Sequence, residues 1–164
     1  MQVQVLMFRQ DDPKKCTAAK IVKFKLATRV RTTLQNTLLL DPFAQRTLLR
    51  SDASLVQSIT GIDCSWELAG KTFTKKFAGI ARKLPPLLAG NPVNYSKLNK
   101  LTTVEAIAGA SFIMGFESLS HDLLDKFKWG HTFYDLNKNL LEDYSKANSE
   151  EEIDSIIRDY RLMA

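Results

Sequence analysis

The sequence predicts an α/β lobe with a mostly parallel sheet, followed by an all-helical lobe, with the division near residue 90. Three observations carry this reading. Short apolar runs alternate with helical patterns as far as Asn91, the order expected of a sheet built from strand and helix repeats. From Thr102 to the end only helical spacing recurs. The charge divides at nearly the same place: residues 1–83 hold 15 Lys/Arg against 6 Asp/Glu, net +9, and residues 84–164 hold 8 against 12, net −4.

Met1 to Phe8 alternates as a strand does, and Asp11-Asp12-Pro13 ends it. Lys14 to Lys20 opens a helical pattern whose apolar side is Ile21, Val22, Phe24 and Leu26, with Thr17 near its start as a candidate N-cap. Thr37-Leu38-Leu39-Leu40 is a buried strand stopped by Asp41-Pro42. A helix is expected over Ser51–Ile59 with Ser51 as cap, then a very short strand from Gly61 that ends in the polar turn Asp63-Cys64-Ser65-Trp66. Another helix starts at Trp66 and turns Lys71, Lys75, Lys76, Arg82 and Lys83 outward. The apolar run Leu84–Gly90 closes on Asn91-Pro92-Val93-Asn94, a turn cluster. Pro42, Asp63 and Asn91 are therefore expected at strand carboxyl ends, where open α/β sheets bind ligands.

Thr102 with Glu105 three residues on is a capping box, and Val104 to Met114 reads as a helix apolar on nearly every side. Thr103 is its first residue. Its N–H has no partner inside the helix and stands at the positive dipole end, a ready site for a small anion. Gly115 ends that helix and Ser118 or Ser120 caps the next, which carries Leu119, Leu123, Leu124 and Phe127 inward. After a bend at Trp129-Gly130-His131, Phe133, Leu136, Leu140, Leu141 and Tyr144 mark a further helix. Ser149 with Glu152 then boxes a last one, built on Ile153, Ile156 and Ile157.

Composition bounds the function. With 45% hydrophobic and 25% charged residues the chain is ordinary for a globular protein. No apolar run approaches the ~20 residues a membrane helix needs. The start lacks the pattern of a signal peptide, so a cytoplasmic protein with two reduced thiols, Cys16 and Cys64, is expected. His121 and His131 have no ligand-type neighbours, and no metal is expected. The basic surplus suits a polyanion such as RNA. Its densest stretch is Lys20, Lys23, Lys25, Arg29 and Arg31. Read by themselves, Asp63 is a buried aspartate satisfied by nearby N–H groups, and Trp129 is more readily a packed side chain than a base-stacking platform.

Five motifs taken together say more: Asp12-Pro13-Lys14-Lys15-Cys16-Thr17, Asp63-Cys64-Ser65-Trp66, Asn91-Pro92-Val93-Asn94-Tyr95, Glu105-Ala106, and Phe127-Lys128-Trp129-Gly130-His131 through Asn137. In this order they resemble the small-subunit (16S/18S) ribosomal-RNA aminocarboxypropyltransferase family over nearly the whole chain. The resemblance implies transfer of the 3-amino-3-carboxypropyl group of S-adenosylmethionine to N3 of a pseudouridine, often N1-methylated, in small-subunit rRNA during ribosome biogenesis. It implies a SPOUT-like fold with a deep trefoil knot, in which residues 1–90 form the cofactor- and RNA-binding lobe and residues 91–164 an all-α lobe that completes the pocket. A monomer acting on small-subunit rRNA or a pre-ribosomal particle, with no membrane partner, is the corresponding expectation.

The same resemblance assigns the site. Thr17 and the N–H of Thr103 would hold the methionine carboxylate, and the Ile62 carbonyl would take the ribose hydroxyls. Leu84 N–H and the Asn99 carbonyl would read the adenine edge, with Leu40, Pro42, Trp66, Leu101 and Ala106 packing on its faces. Trp66 and Ala69 would form the slot that hides the methyl group, and Asp63 would accept the N3 proton. Lys20, Lys23, Lys25, Arg29 and Arg31, with Lys71, Lys75 and Lys76, would bind rRNA. Two alternatives remain at this level: a SPOUT-like RNA methyltransferase using the same pocket, and a non-catalytic RNA-binding assembly factor.

Overall fold

Five short strands are described: β1 (Gln2–Met7), β2 (Thr28–Val30), β3 (Thr37–Leu40), β4 (Ser58–Asp63) and β5 (Ile80–Arg82). They come from a computed structural model that describes residues 1–8, 16–64, 68–73 and 76–162. The strands pair in the order β2-β1-β4-β3-β5, and every pairing is parallel. All five carboxyl ends therefore lie on one edge. β4 is central and buried along its whole length.

The helices are α1 (Thr17–Lys23), α2 (Ala69–Thr72), α3 (Thr103–Ile113), α4 (Glu117–Leu124), α5 (Gly130–Lys146) and α6 (Glu150–Asp159). Side-chain alternation along the strands divides the apolar residues between the two faces of the sheet. Val3, Val5, Leu38, Leu40 and Ile59 enter the main core with α1, α3 and α5, whereas Leu6, Leu39 and Ile62 pack with Phe8, Val30, Phe73 and Phe77. α3 lies directly on β4. A Cβ at Gly61 would stand 2.9 Å from Ile107 Cδ1, so glycine is what allows this approach. No helix among the described residues is long and apolar enough to cross a membrane.

The α/β class and the parallel sheet are observed as expected; several element boundaries are not. The helix expected over 51–59 is a 3-10 segment, Arg50–Leu55, and the chain then extends as β4 from Ser58. Asp52 explains the switch: its carboxylate accepts from Leu49 N at 2.9 Å and pairs with Arg82 at 3.2 Å, which ends the turn early. Ser58, Ile59, Thr60 and Ile62 then suit a strand buried on both faces. The helix expected from Trp66 to Lys83 shrinks to α2, because Phe73 and Phe77 fold under the sheet and Ile80–Arg82 adds to its edge as β5. Gly79, at φ 129°, makes the turn between them. Asn91 is not at a strand end; residues 84–101 form an irregular loop. β2 was not expected. It is an exposed three-residue edge strand hidden inside the basic stretch. The caps also shift, since Cys16 caps α1 with Thr17 as first helical residue, and Phe116 rather than Ser118 or Ser120 precedes α4.

Candidate active site

The cavity of about 810 Å³ opens at the carboxyl edge of the sheet. Leu40, Asp41 and Pro42 follow β3, Ile62, Asp63 and Cys64 end β4, and Lys83 to Pro86 follow β5. The starts of two helices close it from above: Cys16 and Thr17 from α1, and Thr102, Thr103 and Ala106 from α3. Loop residues Asn91, Asn94, Asn99 and Leu101 form a further wall, with Asp154 and Ile157 of α6. Ten of the residues expected around a cofactor line this one cavity: Thr17, Leu40, Pro42, Ile62, Ala69, Leu84, Asn99, Leu101, Thr103 and Ala106. Trp66 lies outside the described residues.

Two helix starts meet here by a side chain of one. Thr17 Oγ1 accepts from Val104 N at 3.2 Å, which leaves its own hydrogen for the cavity. The neighbouring Thr103 N–H, first in α3, has no acceptor among the described residues. A hydroxyl donor and an amide donor thus stand side by side at the positive end of an 11-residue helix.

Asp63 is buried, 8% exposed, and is held from both helices. Thr103 Oγ1 donates to its Oδ1 at 2.9 Å and the Cys16 thiol to its Oδ2 at 3.1 Å. Cys16 Sγ in turn accepts from Ala19 N at 3.4 Å. Burial first, and the Asp63 carboxylate after it, push this thiol up to about 11 despite the Ala19 amide, so it remains a neutral donor at physiological pH. Cys16 was not among the expected site residues. The signals the sequence offers are its place in the motif of residues 12–17 and its position one residue before Thr17.

The loop 84–101 is fixed by one carboxylate. Glu105, fully buried, accepts from Gly90 N at 2.7 Å, Asn91 N at 3.3 Å, Asn91 Nδ2 at 2.7 Å, Thr102 N at 2.9 Å and Thr102 Oγ1 at 2.9 Å. Asn137 of α5 holds the opposite side through Leu88 N and O, each at 2.8 Å. A Cβ at Gly90 would meet Phe133 N at 2.4 Å, so the loop and α5 touch backbone to backbone. Asn99 adopts φ 63°, donates its N–H to Leu87 O at 2.9 Å and accepts from Leu87 N on its Oδ1 at 3.4 Å.

The expected basic residues do not form one face. Lys20, Lys23 and Lys25 belong to α1 and its end, Arg29 and Arg31 to the β2 edge, and Lys71 and Lys76 to the opposite side of the sheet, near Phe73 and Phe77. All seven are exposed, and Lys75 lies outside the described residues. The physical reason is that α1 and α2 cover different faces.

Residues 38–161 match the family described as "Ribosome biogenesis protein, C-terminal". A protein of Methanococcoides burtonii named 16S rRNA aminocarboxypropyltransferase is 43% identical over 93% of this chain and 90% of its own length. One of Saccharolobus solfataricus with the same name is 40% identical over 97% and 95%. The solved structure of the SAM-dependent rRNA:acp-transferase of Vulcanisaeta distributa superposes with a TM-score of 0.85 at 33% identity, covering 98% of this chain and 96% of that one. Residues 1–33 also match a family described as "Possible Fer4-like domain in RNase L inhibitor, RLI". An iron–sulfur cluster takes four thiolates. This segment holds only Cys16, whose thiol is engaged with Asp63, so the residues do not fit a cluster.

Proposed function

The chain belongs to the 16S rRNA aminocarboxypropyltransferase family, and from that premise we propose what each residue around the cavity does. The enzyme transfers the aminocarboxypropyl group of S-adenosylmethionine to small-subunit rRNA. The observation that carries the residue assignment is the Thr17–Val104 contact, which sets the Thr17 hydroxyl beside the start of α3, where the Thr103 N–H has no acceptor among the described residues. Two donors on a helix start fit a carboxylate. The cavity fits the rest: its volume falls within the range of about 300–1,000 Å³ usual for ligands of this size, and Leu40, Pro42, Leu101 and Ala106 offer apolar walls for a flat base.

When bound there, S-adenosylmethionine supplies an aminocarboxypropyl carbon activated by a sulfonium, whose S–C bond breaks as the new N–C bond forms and whose sulfur leaves as the neutral thioether of methylthioadenosine. Everything else falls to this chain. Thr17 and Thr103 bind the carboxylate and so fix which carbon faces the rRNA. Ala69, with Trp66, hides the methyl group, because a methyl turned toward the acceptor gives the wrong product. The Ile62 carbonyl takes the ribose hydroxyls, and Leu84 N–H and the Asn99 carbonyl read the adenine edge. Asp63 accepts the proton of the acceptor nitrogen, with Cys16 and Thr103 holding its carboxylate in position.

The finer parts of the reading belong to the same proposal. The acceptor is N3 of a (N1-methyl)pseudouridine, in rRNA held by basic residues on both sides of the sheet, Lys20, Lys23, Lys25, Arg29 and Arg31 on one and Lys71 and Lys76 on the other, together with Lys75. The enzyme acts as a cytoplasmic monomer, with residues 1–90 as the cofactor- and RNA-binding lobe and 91–164 completing the pocket. The SPOUT-like fold carries a deep knot. Supporting this, loop 84–101 is closed on itself by the Leu88–Leu98 bridge and the Ala89–Lys97 bond, and is clasped by Glu105 and Asn137 that follow it. The test is to incubate the protein and S-adenosylmethionine with small-subunit rRNA that carries its (N1-methyl)pseudouridine but no aminocarboxypropyl group, and weigh the nucleosides. A pseudouridine heavier by one aminocarboxypropyl group is expected; a methyl adduct, or none, overturns the reading.

A further inference from the structure

The motif Phe127-Lys128-Trp129-Gly130-His131 has no part in the cavity, yet it is built with care. A Cβ at Gly130 would fall 2.0 Å from Leu124 O, so the turn between α4 and α5 closes as tightly as a backbone can. That turn meets the end of α1 through two reciprocal contacts. Lys20 Nζ stands 5.7 Å from the Phe127 ring centre, and Lys126 Nζ 5.5 Å from that of Phe24. Phe127 and Trp129 lie 5.0 Å apart. Phe24 is 47% exposed.

Five lysines collect at this corner: Lys20, Lys23, Lys25, Lys126 and Lys128, all exposed. A basic surface that is merely solvated is usually laced with carboxylates. Here none of the five has an ion-pair partner among the described residues, although Asp122 and Asp125 stand on the same helix end. Lys25 adds a second sign. α1 ends in a Schellman turn, with Leu26 N donating to Ile21 O and Lys25 N to Val22 O, and Lys25 takes φ 60° at the position that favours glycine. A cation stands there against backbone preference.

We propose that this corner, where the end of α1 meets the α4–α5 turn, carries the rRNA contact across onto the helical half and grips the single strand flanking the target nucleotide. Lys25, Lys126 and Lys128 take its phosphates, and the exposed Phe24 ring stacks an unpaired base. The path is short. Thr17 lines the cavity and Phe24 follows seven residues on, about 10 Å along a helix axis. The inference rests on the rRNA-modifying reading but is tested apart from it, by binding rather than transfer.

The full chain is titrated with a short fluorescein-labelled single-stranded RNA and with its duplex over a range of salt, with S-adenosylmethionine affinity measured in parallel by calorimetry. Lys128 is exposed and has no ion pair among the described residues, so Lys128→Ala leaves folding intact; Lys25→Gly relieves the backbone and removes the charge. Each is expected to weaken single-strand binding several-fold and to lower its log–log salt slope by about 0.7. Phe24→Ala is expected to weaken the single strand more than the duplex. S-adenosylmethionine affinity stays that of the wild type. Unchanged RNA affinity and slope in all three variants, or equal losses on single strand and duplex for Phe24→Ala, overturn the proposal. The activity assignment fails by a different result, the absence of an aminocarboxypropyl adduct on rRNA treated with wild-type protein.

Discussion

At Asp63 a carboxylate buried at a strand end is reached by two neutral donors, the Cys16 thiol and the Thr103 hydroxyl, each from a different helix. Lone pairs remain on both oxygens for a third partner. If that partner is the acceptor N–H, Asp63→Asn keeps the shape and binds S-adenosylmethionine nearly as well, yet slows single-turnover transfer by about a hundredfold or more. Transfer within a few-fold of wild type would reduce Asp63 to a structural residue. The thiol makes a separate prediction. With Cys16 raised to about 11, only about one molecule in a thousand carries the thiolate at pH 8, and the side chain is buried. Iodoacetamide at pH 8 should therefore spare Cys16 in the native protein and label it in urea, as peptide masses will show; rapid native labelling contradicts the geometry. Thr17, Asp63 and Thr103 are each legible from local pattern. That they meet is legible only through family resemblance, since contacts across 47, 40 and 87 positions are made by tertiary packing that no spacing rule reaches.

Among the elements, α3 was the most legible and loop 84–101 the least, and one residue accounts for both. Glu105 completes the capping box that marks the start of α3, and the same carboxylate gathers three donors from Gly90 and Asn91. The box is written in neighbouring letters; the loop contacts are not. Glu105→Gln turns an NH2 toward donors that need an acceptor. A loss of at least about 3 kcal/mol is expected in urea unfolding, because bonds to a buried charge are each worth roughly 1.5–3 kcal/mol, together with weaker S-adenosylmethionine binding as the cavity wall loosens. Retained stability would show that the loop is held by its own bonds. β4 and β5 were misread for a common reason: a strand buried on both faces has no alternation to display, and a three-residue strand has too little of it. Tyr144 supplies a test in pH. Its hydroxyl donates to Pro86 O at 2.8 Å, and burial, with Tyr160 and Asp143 nearby, pushes its ionisation well above the usual tyrosine value. A phenol raised on folding contributes stability that is complete below its unfolded value of about 10 and is lost as pH climbs beyond it. Tyr144→Phe should cost about 1 kcal/mol at pH 8 and give a shallower alkaline limb in unfolding free energy. A limb as steep as that of the wild type assigns the alkaline loss to other groups.

On the scale of the molecule, the cavity exists because one parallel sheet sends β3, β4 and β5 to the same edge while α1, α3, loop 84–101 and α6 all converge there. The charge changes sign near residue 83, yet the cavity is lined by residues from both sides of that division. α6 is tied in at its start, where Glu150 accepts from Thr47 N at 2.7 Å and pairs with Arg46 at 3.4 Å, contacts that hold its carboxyl below the usual range. A ligand in such a cavity touches elements far apart in the chain, so binding must stabilise the whole fold rather than one lobe. At a concentration one hundred times its dissociation constant a ligand adds about 2.7 kcal/mol. For a chain of this length each kcal/mol raises Tm by roughly 2–4 °C, so S-adenosylmethionine should raise it by about 5–11 °C. Thr17→Ala removes a bond to a charged carboxylate worth roughly 1.5–3 kcal/mol, about half of that gain or more, and at the same ligand concentration its Tm shift should fall to about half or less. Amide exchange then reports where the gain is spread: in the wild type, ligand should slow exchange in loop 84–101, in the first turn of α3 and at the α6 face that carries Asp154 and Ile157. A Thr17→Ala protein that keeps the full Tm shift, or protection confined to the strand ends, would mean that the carboxylate is held elsewhere and that the helical half is a bystander to binding.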